Sequence, residues 1–233
     1  MKFLMLLRKE LRESLPWILL ATIALLIIGG IALRLEVRLV RSAWSYSSLS
    51  PGATANPYWF CQFSSLSIAG SWLFVISIAL GLALGVQHFW MPHFTRTWPF
   101  LLHRSVGKMT ILAAKLTAAA IGCILPLGVV WLSLYWYACR SNAFGIPVPA
   151  RVFIDGLILI ALGLVVYLGT ALAGLSRARW YTTKIFGLAF AALVLFITTV
   201  QFQCGLLWAC VIMVVSIMIL LSQVVDTFLK REY

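Results

Sequence analysis

Six long apolar segments occupy most of this chain, and its lysines and arginines crowd into alternate gaps between them. The segments fall at residues 16–33, 66–90, 111–138, 153–175, 185–200 and 206–225. A bilayer core takes about 20 apolar residues per helical crossing, so each segment is read as a span. Backbone amides in hydrocarbon must bond within their own segment or within a closed barrel. The period-two alternation of a barrel strand is absent, which leaves helices. The expected fold class is therefore an all-α integral membrane protein with six transmembrane helices. No polar stretch is long enough to bury a core of its own, so residues 1–233 are expected to form a single transmembrane domain.

Hydrophobic residues make up 63% of the chain and charged residues only 10%. The net charge of +12 is spread through short loops, as membrane topology requires, and does not form the clustered face of a nucleic-acid binder. Orientation follows from where the basic residues lie. The N-terminal stretch, the second gap together with Lys115 just inside the next helix, the fourth gap and the C-terminal tail hold thirteen of the eighteen. The other gaps hold Arg34, Arg38, Arg41, Arg140 and Arg151. Both termini are expected in the cytoplasm. Aromatic residues mark the interfaces, among them Tyr58, Trp59 and Trp72 outside and Trp90, Trp98 and Trp180 inside. The first span resembles a signal peptide in its basic start, but Leu33-Arg34-Leu35-Glu36 follows in place of a small-residue cleavage site, so it is read as a true span.

Residues 1–15 are amphipathic. Leu4, Leu7, Leu11 and Leu15 share one face, and Lys9, Glu10, Arg12 and Glu13 gather elsewhere. Pro16 then separates this stretch from the first span. The expectation is an interfacial cytoplasmic helix that turns at Pro16. The other reading is an unbroken extension of the first span, since proline is tolerated at a helix start. The largest external gap, residues 34–65, begins with Arg34, Arg38 and Arg41 at helical spacing and continues into a serine-rich turn.

Chemistry is conspicuously sparse. Gly107-Lys108 lacks the leading glycine and the strand of a phosphate-binding loop, so the chain has no ATPase site of that kind. His88, His93 and His103 have no carboxylate or cysteine beside them in sequence to complete a metal set. They read as ordinary interface residues. The five cysteines, Cys61, Cys123, Cys139, Cys204 and Cys210, follow no disulfide or zinc pattern; Cys61 and Cys139 both fall near the outer surface and could pair, but the favoured reading is isolated small apolar residues. The acids Glu10, Glu13, Glu36, Asp155, Asp226 and Glu232 avoid the middle third of every span. Ion-coupled carriers keep an ionisable group at membrane depth. A self-powered carrier and an intramembrane hydrolase are both disfavoured, and no catalytic residue, metal or cofactor is expected. Gly81 with Gly85, and Gly169 with Ala173, read as packing pairs. Pro126 should kink the third span.

The second cytoplasmic gap, residues 91–110, differs from a plain connector. Phe94, Trp98, Phe100, Leu101 and Leu102 lie there among Arg96, Arg104 and Lys108. Such a loop suits an amphipathic helix that docks on a partner or on the membrane surface. Residues 99–116 read PFLLHRSVGKMTILAAKL. Together with Thr97, this stretch resembles the first cytoplasmic loop and third span of type-2 ABC permeases, the membrane subunits of many bacterial ATP-binding-cassette exporters. Thr97, Leu101, Leu102, His103, Arg104, Val106, Lys108 and Lys115 carry the resemblance. Arg8-Lys9-Glu10-Leu11-Arg12 is similar to that family's amphipathic connecting helix. Ser105 stands where the family often has proline, and His93, Phe94 and Arg96 stand where it often has glutamates and a glycine.

The resemblance implies a multi-pass permease of the bacterial inner membrane, non-catalytic itself. It implies separate ABC ATPase subunits and a second permease copy or a homologous permease as partners, in addition to the lipid bilayer. Trp98, Phe100, Leu101, Leu102, His103, Arg104 and Lys108 would form the ATPase-coupling loop. The rival from another class is a membrane scaffold that binds a cytoplasmic partner and transports nothing.

Overall fold

The computed structural model describes residues 2–49, 67–95, 107–140, 148, 150–175, 181–204 and 206–230. Every element among them is helical: α1 (Lys2–Leu49), α2 (Ser67–Gly85), a π-helical turn (Val86–Trp90), the short α3 (Met91–Phe94), α4 (Lys108–Arg140), α5 (Ala150–Leu175), α6 (Tyr181–Cys204) and α7 (Leu206–Lys230). Five helices among the described residues are long and apolar enough to cross a membrane: Phe3–Arg38, Ile68–Trp90, Lys108–Arg140, Ala150–Leu175 and Leu207–Lys230. This is the make-up of a multi-pass membrane protein. The apolar part of α6, Ile185–Thr199, is shorter.

α5 is the hub, touching α2, α4, α6 and α7. Its glycines make that role feasible. A Cβ on Gly81 of α2 would run into the backbone carbonyl of Gly163, and one on Gly85 would come within 2.6 Å of Thr170. On the other side, a Cβ on Gly169 would lie 2.6 Å from the Gly187 carbonyl of α6. Small residues bring these backbones close enough for dense dispersion contact, the main attraction between helices in lipid. The packing reading of Gly81, Gly85 and Gly169 therefore holds. Trp131 and Tyr167 fill the two largest buried positions.

Contacts fix the helix directions. Glu10 near the start of α1 meets Lys115 near the start of α4, and Tyr167 towards the end of α5 meets His88 just past α2. At the opposite end, Glu36 of α1 accepts a 2.6 Å hydrogen bond from the amide of Ile68, at the first turn of α2. The first four long helices thus alternate in direction.

One expectation is corrected. α1 runs unbroken through Pro16, in place of a separate interfacial helix over residues 1–15. Proline removes one backbone hydrogen bond, but the turns on both sides of it are anchored. Ser14 is buried before it, and Ile18 packs on the core after it. α4 likewise runs through Pro126.

Candidate functional site

Five polar side chains from four elements converge at one end of the bundle. Glu10 and Ser14 lie one helical turn apart on α1 and so share a face. His88 belongs to the π turn, Lys115 to α4 and Tyr167 to α5. All five are buried, with exposures between 1% and 5%. Glu10, Lys115 and Tyr167 each sit about 10–12 Å along their helices from the end at that face, and Ser14 one turn deeper, so together they make a compact layer near it.

The geometry is closely matched. Lys115 Nζ donates to both carboxylate oxygens of Glu10, at 2.9 and 3.0 Å. Glu10 Oε2 also lies 3.7 Å from His88 Nε2. Ser14 Oγ donates to the Glu10 carbonyl at 2.8 Å and lies 2.9 Å from His88 Nε2. On the far side of the imidazole, Nδ1 lies 3.1 Å from the Tyr167 hydroxyl, which donates to the Lys115 carbonyl at 3.2 Å. The chain of contacts closes on itself: Glu10, Ser14, His88, Tyr167, Lys115 and back to Glu10. Buried polar groups are costly without partners, and each of these has a partner within the layer.

The π turn makes this possible. A π turn admits an extra residue into the helix and re-aims the side chains that follow. His88 points into the junction. Gln87 reaches α1, its Nε2 donating to the Glu13 carbonyl at 2.7 Å. Trp90 Nε1 donates to the Thr170 carbonyl of α5 at 3.2 Å. Contacts from Gln87, His88 and Trp90 thus pin the end of α2 to both neighbours.

The arrangement brings Ser14 and His88 within hydrogen-bond reach, the pairing on which serine hydrolases rely. Both side chains are 1% exposed, however, and the second imidazole nitrogen meets a phenol and not a carboxylate. No face of the hydroxyl is open to an arriving acyl group. Among the described residues, no group of three histidines, cysteines or acids could hold a metal ion. Cys123, Cys139 and Cys210 are free thiols; Cys61 lies outside the described residues.

Of the residues expected to form a coupling loop, Trp98, Phe100, Leu101, Leu102, His103 and Arg104 also lie outside the described residues. Lys108 is the exposed first residue of α4. Leading into the same gap, Phe94 is exposed, with its ring 6.2 Å from that of Trp90. The polar junction itself was missed by sequence reasoning, which treated His88 as an ordinary interface residue and Lys115 as one more inside charge. The available signal was that each interrupts an otherwise apolar helix.

No family model, curated protein or solved structure matches this chain.

Proposed function

We propose that the chain is the membrane permease subunit of an ABC exporter in a bacterial inner membrane. In this reading, separate ATPase subunits supply the energy, and a second permease copy or a homologue completes the pathway. The observation that carries the reading is the meeting of Lys115 and Glu10. Lys115 closes the loop pattern that resembles type-2 ABC permeases, and Glu10 lies at the centre of the Arg8–Arg12 stretch that resembles their connecting helix. Residues 105 positions apart, each within a stretch that carries the resemblance, form a buried ion pair. Counting α6 as a crossing gives six spans with both termini on the cytoplasmic face, as the basic residues ask.

ATP-driven closure of the ATPases would act on residues 91–110 and rock the helices to alternate access. Within this reading Phe100, Leu101 and Leu102 are the apolar anchors on the ATPase and Arg104 is a rim contact; Trp98, His103 and Lys108 complete the loop. The rival scaffold reading draws support from the junction itself, whose polar groups face one another and not an open path. One experiment separates the two. The protein is purified from its native membrane with its associated subunits, these are identified, and the complex is reconstituted in liposomes. An ATPase partner whose turnover rises with candidate substrates supports the permease. A partner set without an ATPase sinks it.

A further inference from the structure

The two halves of α1 are attached to the bundle by different forces. Beyond Pro16, Ala21, Leu25, Ala32 and Leu33 are buried in the apolar core. Before Pro16 the pattern reverses: among residues 3–15 the only fully buried side chains are Glu10 and Ser14. Leu4 and Met5 are 66% and 71% exposed, and Leu15 is also turned outward. Phe3, Leu6, Leu7 and Leu11 are half-buried, and the fully buried contacts of this first part of α1 are polar, a latch of Glu10 on Lys115 and Ser14 on His88, with the Glu13 carbonyl accepting from Gln87.

Polar contacts of this kind depend on geometry and fail together when it is lost, whereas apolar burial fades gradually with area. Pro16 sits at the boundary and lacks the amide that would bond to Arg12, so it is the weakest turn of the helix. The same residues 2–15 also carry an interfacial pattern, with leucines on one face and Arg8, Lys9 and Arg12 available to lipid phosphates.

We propose that residues 2–15 are a releasable arm, hinged at Pro16 and latched by Glu10 and Ser14 to Lys115 and His88. The unbroken helix is the latched state, and the interfacial helix encoded by the amphipathic pattern is the released one. The latch is placed to respond to residues 91–110. His88 lies three residues before that segment, and Lys115 lies five residues after it on α4. The inference rests on packing and stands apart from the transporter reading.

The test measures spin-label distances on the full chain in lipid nanodiscs, in a background whose native cysteines are replaced. One label pair, at Met5 and Met109, spans the latch; both positions are exposed. A second pair, at Leu20 and Leu125, reports on the bundle beyond Pro16, again at exposed positions. Lys115→Ala should reduce the short-distance population of the first pair on the order of a hundredfold, the effect of stranding one member of a buried charge pair. The second pair should not change. Ser14→Ala, a milder variant that keeps both charges, should shift the first pair in the same direction. The exchanged pair Glu10→Lys with Lys115→Glu should restore the short distance in part. Pro16→Ala, added to Ser14→Ala, should return population to the latched state by stiffening the hinge. An unchanged first pair in both Lys115→Ala and Ser14→Ala would show that the arm is held by something else and overturns the proposal. Equal broadening of both pairs would show general loosening of the fold and overturns it as well.

Discussion

Lys115 and Glu10 illustrate what a single residue can decide inside an apolar bundle. Either one alone would be an uncompensated charge in a place that water does not reach. Lys115→Met is therefore expected to destabilise the protein by about 3 kcal/mol, because it strands the Glu10 carboxylate. The double variant Lys115→Met with Glu10→Leu should recover most of that loss, since apolar residues of similar volume often replace buried ion pairs at little cost. Unfolding in mixed micelles, run as a double-mutant cycle, measures both values. Equal stability of Lys115→Met and the native chain would show that the pair contributes nothing. Sequence reading located both residues and missed the bond. Their positions lie far apart in the chain, and nothing local marks two charges on separate helices as partners. The same holds for Ser14 and His88, whose contact depends on a π turn that no residue pattern announced.

At the scale of the helix, the apolar runs were legible because hydrocarbon imposes length and composition on anything that crosses it. Packing was legible in part. Gly81, Gly85 and Gly169 were recognised as sites of close approach, but which helix approached which was not encoded in any one segment. The structure supplies the partners and so sharpens the prediction. Gly81→Ala places a methyl against the Gly163 carbonyl and should cost about 1–3 kcal/mol by forcing α2 from α5. Gly30→Ala meets no atom within 4 Å and should be neutral or stabilising by up to about 1 kcal/mol through helix propensity. Thermal unfolding of the two variants, side by side, checks the contrast; equal effects would mean that the α2–α5 approach is looser than described. The course of α1 was misread for an equally physical reason. A proline after an amphipathic stretch signals a break only when nothing holds the turns around it, and here Ser14 and Ile18 hold both.

For the whole molecule, charge asymmetry and loop chemistry lead to two measurements. Reporter fusions after Ser47 and Asn142 should read as external, and fusions after Arg104, Arg179 and Tyr233 as cytoplasmic, because the basic residues concentrate in alternate gaps. A cytoplasmic reading at Ser47 would reverse the orientation and move the polar junction to the other side of the membrane. The second measurement concerns assembly. A soluble connector has little use for Phe100, Leu101 and Leu102 in succession, whereas a docked one concentrates its energy in a few central apolar groups. If residues 91–110 seat on an ATPase, removing one such anchor should cost on the order of 2 kcal/mol of binding, about thirtyfold in affinity. Arg104→Ala at the rim should cost less and show salt dependence. Leu101→Asp and Leu102→Asp distinguish docking from membrane burial. Under docking, the chain still inserts and accumulates to native levels, while the proposed ATPase no longer co-purifies and transport stops. If the leucines instead begin the third span, the chain itself misinserts and is degraded, because a carboxylate is being forced into lipid. Normal ATPase co-purification with both substitutions would remove the loop as the coupling element and leave the junction of Glu10, His88 and Lys115 as the place to look for one.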